Sequence, residues 1–248
     1  MHPAKMDSAP SDSRGRVESL DGAPRSGGGA RPAFRSAIRE HPALAAFAAS
    51  YLIGFLIYGL VDRRPSTMAY VLTVSALVVV VAEVDDRVHL TRVVLWGLGA
   101  WGLLHLAGGL VPVGRGVLYN TDLHVPTLHY DRVVHAFGFG VATVAVWEAI
   151  RPHLRERLAG RGIAVAAALG GMGLGALNEV AEFGFSHLAK DSNVGGYQNT
   201  GWDLVYNTIG CTVAAVWAFR RQGASRSADP LRKPGGEGSI QTVFAERA

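Results

Sequence analysis

The residues of this 248-residue chain whose types could do chemistry are His105, the run Tyr130-Asp131-Arg132 with His135, the pair Glu179 and Glu182, and Asp203 with Asn207. Each group lies inside or beside a long apolar stretch. Charged groups are costly in lipid, so residues of this kind in such stretches usually mark a pathway or a site. Asp131 and His135 are four apart, Glu179 and Glu182 three apart, and Asp203 and Asn207 four apart, so each pair shares one helix face. Four carboxylates ionised together, with Arg132 as the one cation among them, would be costly in a low dielectric. Two resolutions are open. The carboxylates share protons, or a divalent metal sits among them.

Mixed histidine and carboxylate donors suit zinc, iron or manganese. On that reading His105, Asp131, His135, Glu182 and Asp203 are the metal ligands. Glu179 is the further carboxylate, as ligand or general base. Arg132 steadies an anionic headgroup. A bound metal could acidify a water for attack on an ester or phosphoryl group. The chain has no H-E-x-x-H and no paired E-x-x-H, so no named metalloenzyme class is indicated.

Each residue also has a plainer reading. His105 alone would usually be a hydrogen-bonded packing histidine. Asp131 and Asp203 fall where helices are expected to begin, so each could cap orphan N–H groups. Arg132 could form a structural ion pair with Asp131. Tyr130 and Trp202 suit the membrane interface as anchors. Asn178 reads as an interhelical hydrogen-bonding group. Glu179 and Glu182 resist such readings best, because the stretch Ile163–Leu177 before them has no lysine or arginine. His124, His129 and His187 read as solvated loop residues. Glu83, Asp85 and Asp86 read as partners of Arg87 or water. Cys211, the one cysteine, excludes an internal disulfide and reads as a small buried side chain.

The elements that must position these residues are membrane helices. A spanning helix needs about 20 mainly apolar residues. Candidates are 43–61, 67–82, 90–111, 133–150, 163–185 and 204–219, of which the second and sixth are short. The expected fold is all-α, a polytopic transmembrane bundle of six helices over residues 41–221. Residues 1–40, rich in Ser, Gly, Pro and Arg, read as a disordered tail, and 222–248 as a second flexible tail. The first apolar run comes too late for a signal peptide.

The net charge is +4 and the pI near 9.5. The arginines lie in the tails and in alternate loops, which fits the positive-inside bias and not nucleic-acid binding. That bias puts both termini in the cytoplasm and the polar residues near the outer face. Loops 112–129 and 186–202 would cover them. Gly171 with Gly175, and Gly138 with Gly140, read as close-packing positions.

His105, His129-Tyr130-Asp131-Arg132-Val133-Val134-His135, Glu179-Val180-Ala181-Glu182 and Thr200-Gly201-Trp202-Asp203 together resemble the YjdF-like bacterial inner-membrane proteins. The H-Y-D-R-x-x-H motif is that family's most specific mark. The resemblance covers His105 to Phe219 well and the first two helices in general character. It implies a multi-helix membrane domain and the same site residues, with no established reaction. The chain departs from the family at Leu106 and Ala107, and in carrying Asn199, Thr200 and Asn207 where relatives have further aspartates. Three functions follow as expectations. The first is a metal-dependent enzyme acting on a lipid or lipid-linked substrate. The second is a proton-coupled carrier, and the third a non-catalytic membrane assembly partner.

Overall fold

The structure, a computed structural model, describes residues 33–64, 66–123, 128–154, 158, 160–188 and 196–227. Among these the chain is an all-α bundle. Its helices are α1 (Ala33–Glu40), α2 (Pro42–Val61), α3 (Thr67–Val88), α4 (Arg92–Leu110), α5 (Tyr130–Leu154), α6 (Gly160–Leu188) and α7 (Tyr197–Ser227). A small antiparallel hairpin, β1 (Pro112–Val113) with β2 (Gly116–Val117), and a single 3-10 turn, Leu118–Asn120, join α4 to α5. Helix α1 falls inside the stretch whose composition reads as a disordered tail. Residues 1–32 and 228–248, with the Lys233-Pro-Gly-Gly segment, lie outside the described residues.

Among the described residues five helices are long and apolar enough to cross a membrane: Pro42–Val61, Thr67–Val88, Arg92–Leu110, Tyr130–Leu154 and Gly160–Gly184. The second expected span is not short, because α3 continues through Glu83, Asp85 and Asp86 to Val88. These acids therefore form its last turns and not a loop. The sixth expected span lies within α7. This helix starts seven residues before Leu204 and runs beyond Arg221, and its many polar residues dilute its hydropathy.

Helix α5 packs along both α6 and α7, and on its other side against α4. Small residues make this possible. A Cβ on Gly210 of α7 would collide with the carbonyl oxygen of Ala136 on α5. One on Gly140 would sit 3.2 Å from the Gly210 carbonyl oxygen. On α6, a Cβ at Gly171 would strike the Thr143 hydroxyl and lie 3.0 Å from Cys211 Sγ, while one at Gly175 would lie 2.8 Å from Asn207 Nδ2. Cys211 is fully buried with Phe139 and Ala142, as its apolar neighbours suggest. Helices α2, α3 and α4 form an apolar second group around Tyr51, Val74, Leu106 and Leu110.

The end of the bundle away from the hairpin is tied by carboxylates. Asp85 Oδ1 accepts from the Leu90 N–H at 2.8 Å, and its Oδ2 lies 3.2 Å from His41 Nε2. Glu148 of α5 accepts from both the backbone N–H and the hydroxyl of Thr91, each at 2.8 Å. Ser36 of α1 donates to Asp86 at 2.7 Å.

Three outcomes follow from this packing and capping. Gly210→Leu should lower the melting temperature in detergent sharply, because overpacking typically costs about 1–3 kcal/mol or more. Gly173→Ala, with nothing within 4 Å of the added Cβ, should leave it unchanged or slightly raised. Asp85→Ala strips the buried Leu90 N–H of its acceptor and should destabilise by about 1–3 kcal/mol. Unchanged melting in either destabilising variant would refute the packing or the cap.

Candidate functional site

The site grows from four helix positions. His135 lies in the second turn of α5, one turn beyond Asp131. Glu179 and Glu182 sit near the end of α6. Asp203 and Asn207 occupy successive turns of α7 on the face turned toward α5. The close approach at Gly210 and Gly140 brings those faces together. His135, Glu179, Asp203 and Asn207 are all buried, with Asp203 at 0% exposure and Asn207 at 1%.

His135 is the centre. Its Nε2 lies 3.4 Å from Asp131 Oδ1 and 4.0 Å from Glu182 Oε1. Its Nδ1 lies 3.3 Å from Asn207 Oδ1 and 3.5 Å from Glu179 Oε1. Donor atoms of Asp131, His135 and Asp203 fall within 4.8 Å of one another, and so do donors of His135, Glu179 and Glu182. Two asparagines brace the acids. Asn199 Nδ2 donates to Asp203 Oδ2 at 2.5 Å and lies 3.4 Å from Asp131 Oδ2. Asn178 Nδ2 donates to Glu182 Oε1 at 2.7 Å.

Three polar groups in this cluster are buried without a hydrogen-bond partner among the described residues: both Glu179 oxygens, Asp203 Oδ1 and Asn207 Nδ2. Buried polar atoms are nearly always bonded, so such orphans call for a ligand, a proton or a water. The side chains of Glu182 and Asp131 are 26% and 17% exposed, which makes them the open side of the cluster.

The remaining residues divide. Arg132 is buried, with its guanidinium 4.9 Å from the Trp202 ring centre and 6.0 Å from that of Tyr206. Such stacking suits a partly desolvated guanidinium. Trp202 thus contributes more than an interface anchor. His105 lies in an aromatic wall beside the cluster, with the rings of Tyr70, Trp101 and Tyr119 around it at 5.5, 6.4 and 5.8 Å. Burial holds the Tyr119 phenol well above its ordinary range, so it keeps its proton. Its hydroxyl sits 2.6 Å from His105 Nδ1 and is placed to donate to it. His105 is in neither group of close donor atoms. Asp203 is the seventh residue of α7, too far along to be the helix cap its sequence position suggests.

His129 pairs with Asp122 at 3.1 Å outside the cluster, His187 bonds the Phe183 carbonyl oxygen at 2.9 Å, and His124 lies outside the described residues. Tyr130 donates to the Leu104 carbonyl oxygen at 3.2 Å. Sequence reasoning missed Tyr119. It is one tyrosine in a loop with no helical phase, so nothing in its surroundings marks it. Asn199 precedes the expected start of the sixth span, which hid its place on the same face as Asp203.

Comparison with known proteins adds one result. No curated protein and no solved structure matches this chain. A family model matches residues 43–224, which takes in every residue of the candidate site, and by it the chain belongs to the family described as predicted membrane protein (DUF2238).

Proposed function

We propose that this integral membrane protein is a metal-dependent enzyme acting on a lipid or lipid-linked substrate. Asp131, His135, Glu182 and Asp203 hold the ion, and Glu179 is the further carboxylate. One observation carries the reading: Asp203 Oδ1 is fully buried, unbonded, and beside a histidine and a second aspartate. The His135–Asp131 pair has the spacing of two donors on one cation, and Asp203 lies in the same group of close donors. Metal–ligand bonds of about 2.0–2.2 Å at tetrahedral angles separate neighbouring donors by about 3.3–3.6 Å. The His135–Asp131 separation is 3.4 Å. One imidazole among carboxylates suits manganese, iron or zinc.

When bound, the ion would acidify a water and polarise an ester or phosphoryl oxygen. The chain's own groups do the rest. Glu179, with its Oε1 3.5 Å from His135 Nδ1 and no hydrogen bond to either oxygen, would take a proton. Arg132, 4.9 Å from the Trp202 ring centre, supplies positive charge for an anionic headgroup. Leu177, Val180 and Phe183 on α6, with Val205 and Ile209 on α7, are exposed apolar residues on the turns that carry the acids. Acyl chains could lie against them while a headgroup reaches Asp131 and Glu182. His105 acts here through the aromatic wall rather than as a ligand. The arginine pattern supports a bacterial inner-membrane setting with cytoplasmic termini, and the H-Y-D-R-x-x-H motif supports a YjdF-like assignment.

Metal analysis of the detergent-purified chain tests this. A near-stoichiometric divalent ion is expected, and it should be lost in His135→Ala and Glu182→Ala. A clean wild-type preparation that neither retains nor takes up metal would overturn the reading. Proton-gradient-driven uptake in proteoliposomes, abolished by Glu179→Gln, would replace it with a carrier.

A further inference from the structure

A metal-binding imidazole must present a bare nitrogen to the ion, and the partner of its other nitrogen decides which one is bare. In this site the two nitrogens face different residues. Nε2 faces Asp131 and Glu182 at 3.4 and 4.0 Å. Nδ1 faces Asn207 Oδ1 at 3.3 Å, its hydrogen-bond partner, with Glu179 Oε1 at 3.5 Å on the same side. An amide oxygen can only accept, so this contact requires the proton on Nδ1. The neutral ring then turns its lone pair, on Nε2, toward the two carboxylates.

Asn207 is well placed to enforce this. It is 1% exposed, and α6 meets it with a glycine. A Cβ at Gly175 would lie 2.8 Å from Asn207 Nδ2 and 3.2 Å from its Cβ, so the amide fills the space a side chain would need. Asn199 acts on the other donors. By reaching Oδ2 of both Asp203 and Asp131 it gathers the two acids, and it leaves Asp203 Oδ1 and Asp131 Oδ1 on the remaining sides.

We infer that Asn207 and Asn199 are positioning residues of the metal site. Asn207 fixes the His135 tautomer with Nε2 toward the ion, and Asn199 holds Asp131 and Asp203 as a pair. The inference rests on the metal reading above. It adds that two neutral amides, both outside the ligand set, determine the affinity.

Co2+ titration of the full-length protein in detergent tests it, with visible absorption reporting the ligand field. Asn207→Leu and Asn199→Ala should each weaken Co2+ binding about 10–100-fold, the usual effect of losing such a partner. Asn207→Asp separates positioning from packing. A carboxylate is a stronger acceptor for Nδ1–H, so this variant should bind Co2+ as tightly as wild type or more tightly. A merely structural amide would make Asp at least as damaging as Leu. Wild-type affinity and spectrum in Asn207→Leu, or equal losses in the Leu and Asp variants, would overturn the role of Asn207. Wild-type affinity in Asn199→Ala would overturn that of Asn199. Should Asn207→Leu fail to fold, the Asp variant and Asn199→Ala still decide. Wild-type protein that binds no Co2+, like His135→Ala, would sink the metal reading and this inference with it.

Discussion

Carboxylates crowded around one buried imidazole are the constraint on which this structure turns. Like charges at such distances repel strongly where water is scarce, and desolvation adds to the penalty. The helices hold them together regardless. Backbone contact between α5 and α7 at Gly210 and Ala136 leaves no space for the acids to retreat along that seam. Gly171 and Gly175 draw α6 into the same seam. Packing in a membrane interior relies on close van der Waals contact and small residues, since lipid tails give helices little hydrophobic reason to associate. Here the small residues also set the distances of the site.

The rest of the bundle serves as a frame. At one end Asp85 and Glu148 cap the turn between α3 and α4 and tie α4 to α5. Along its length the α2–α4 group is apolar, and its upper part offers an aromatic surface, Tyr70, Trp101 and His105, to the polar cluster. Tyr119, brought in by the 3-10 turn after the hairpin, closes that surface and takes up a nitrogen of His105. The result is a polar centre with one soft, low-dielectric wall and one more open side at Glu182 and Asp131. Electrostatic interactions are stronger against such a wall than in water.

Much of this was legible before any coordinates. Apolar runs of spanning length located five of the long helices, and intramembrane carboxylates marked the level of the site, because both follow from the cost of polar groups in lipid. Helical phase paired Asp131 with His135 and Glu179 with Glu182, and those pairs do share the cluster. What escaped depends on long-range contact. His105 was expected at the level of the acids, but it lies against Tyr119 and outside both groups of close donor atoms. The start of α7 was misread because Asn199 and Thr200 lower its hydropathy. That stretch is helical where polar residues face the acids of α5. The helix at Ala33–Glu40 was hidden by the composition of the tail around it, yet Ser36 finds a partner in Asp86.

The charge count ties these features together. Asp131, Glu179, Glu182 and Asp203 are all drawn toward His135, and the amides of Asn178 and Asn199 bring hydrogen bonds without charge. Arg132, stacked on Trp202, supplies one compensating charge close by. A divalent ion of the proposed kind would, with Arg132, offset three of the four carboxylates. The fourth would keep its charge, and Glu179, neither of whose oxygens has a hydrogen-bond partner, is the group best placed to accept a proton. The two resolutions open at the level of sequence, a metal or protons, would then operate in turn. Such a site would rest one charge short of neutral, and a single arriving proton would complete the balance. Proton transfer is the step that ester or phosphoryl hydrolysis asks of a general base. A fully neutralised cluster with every oxygen bonded would be the more stable arrangement, and it would have no acceptor left for that proton.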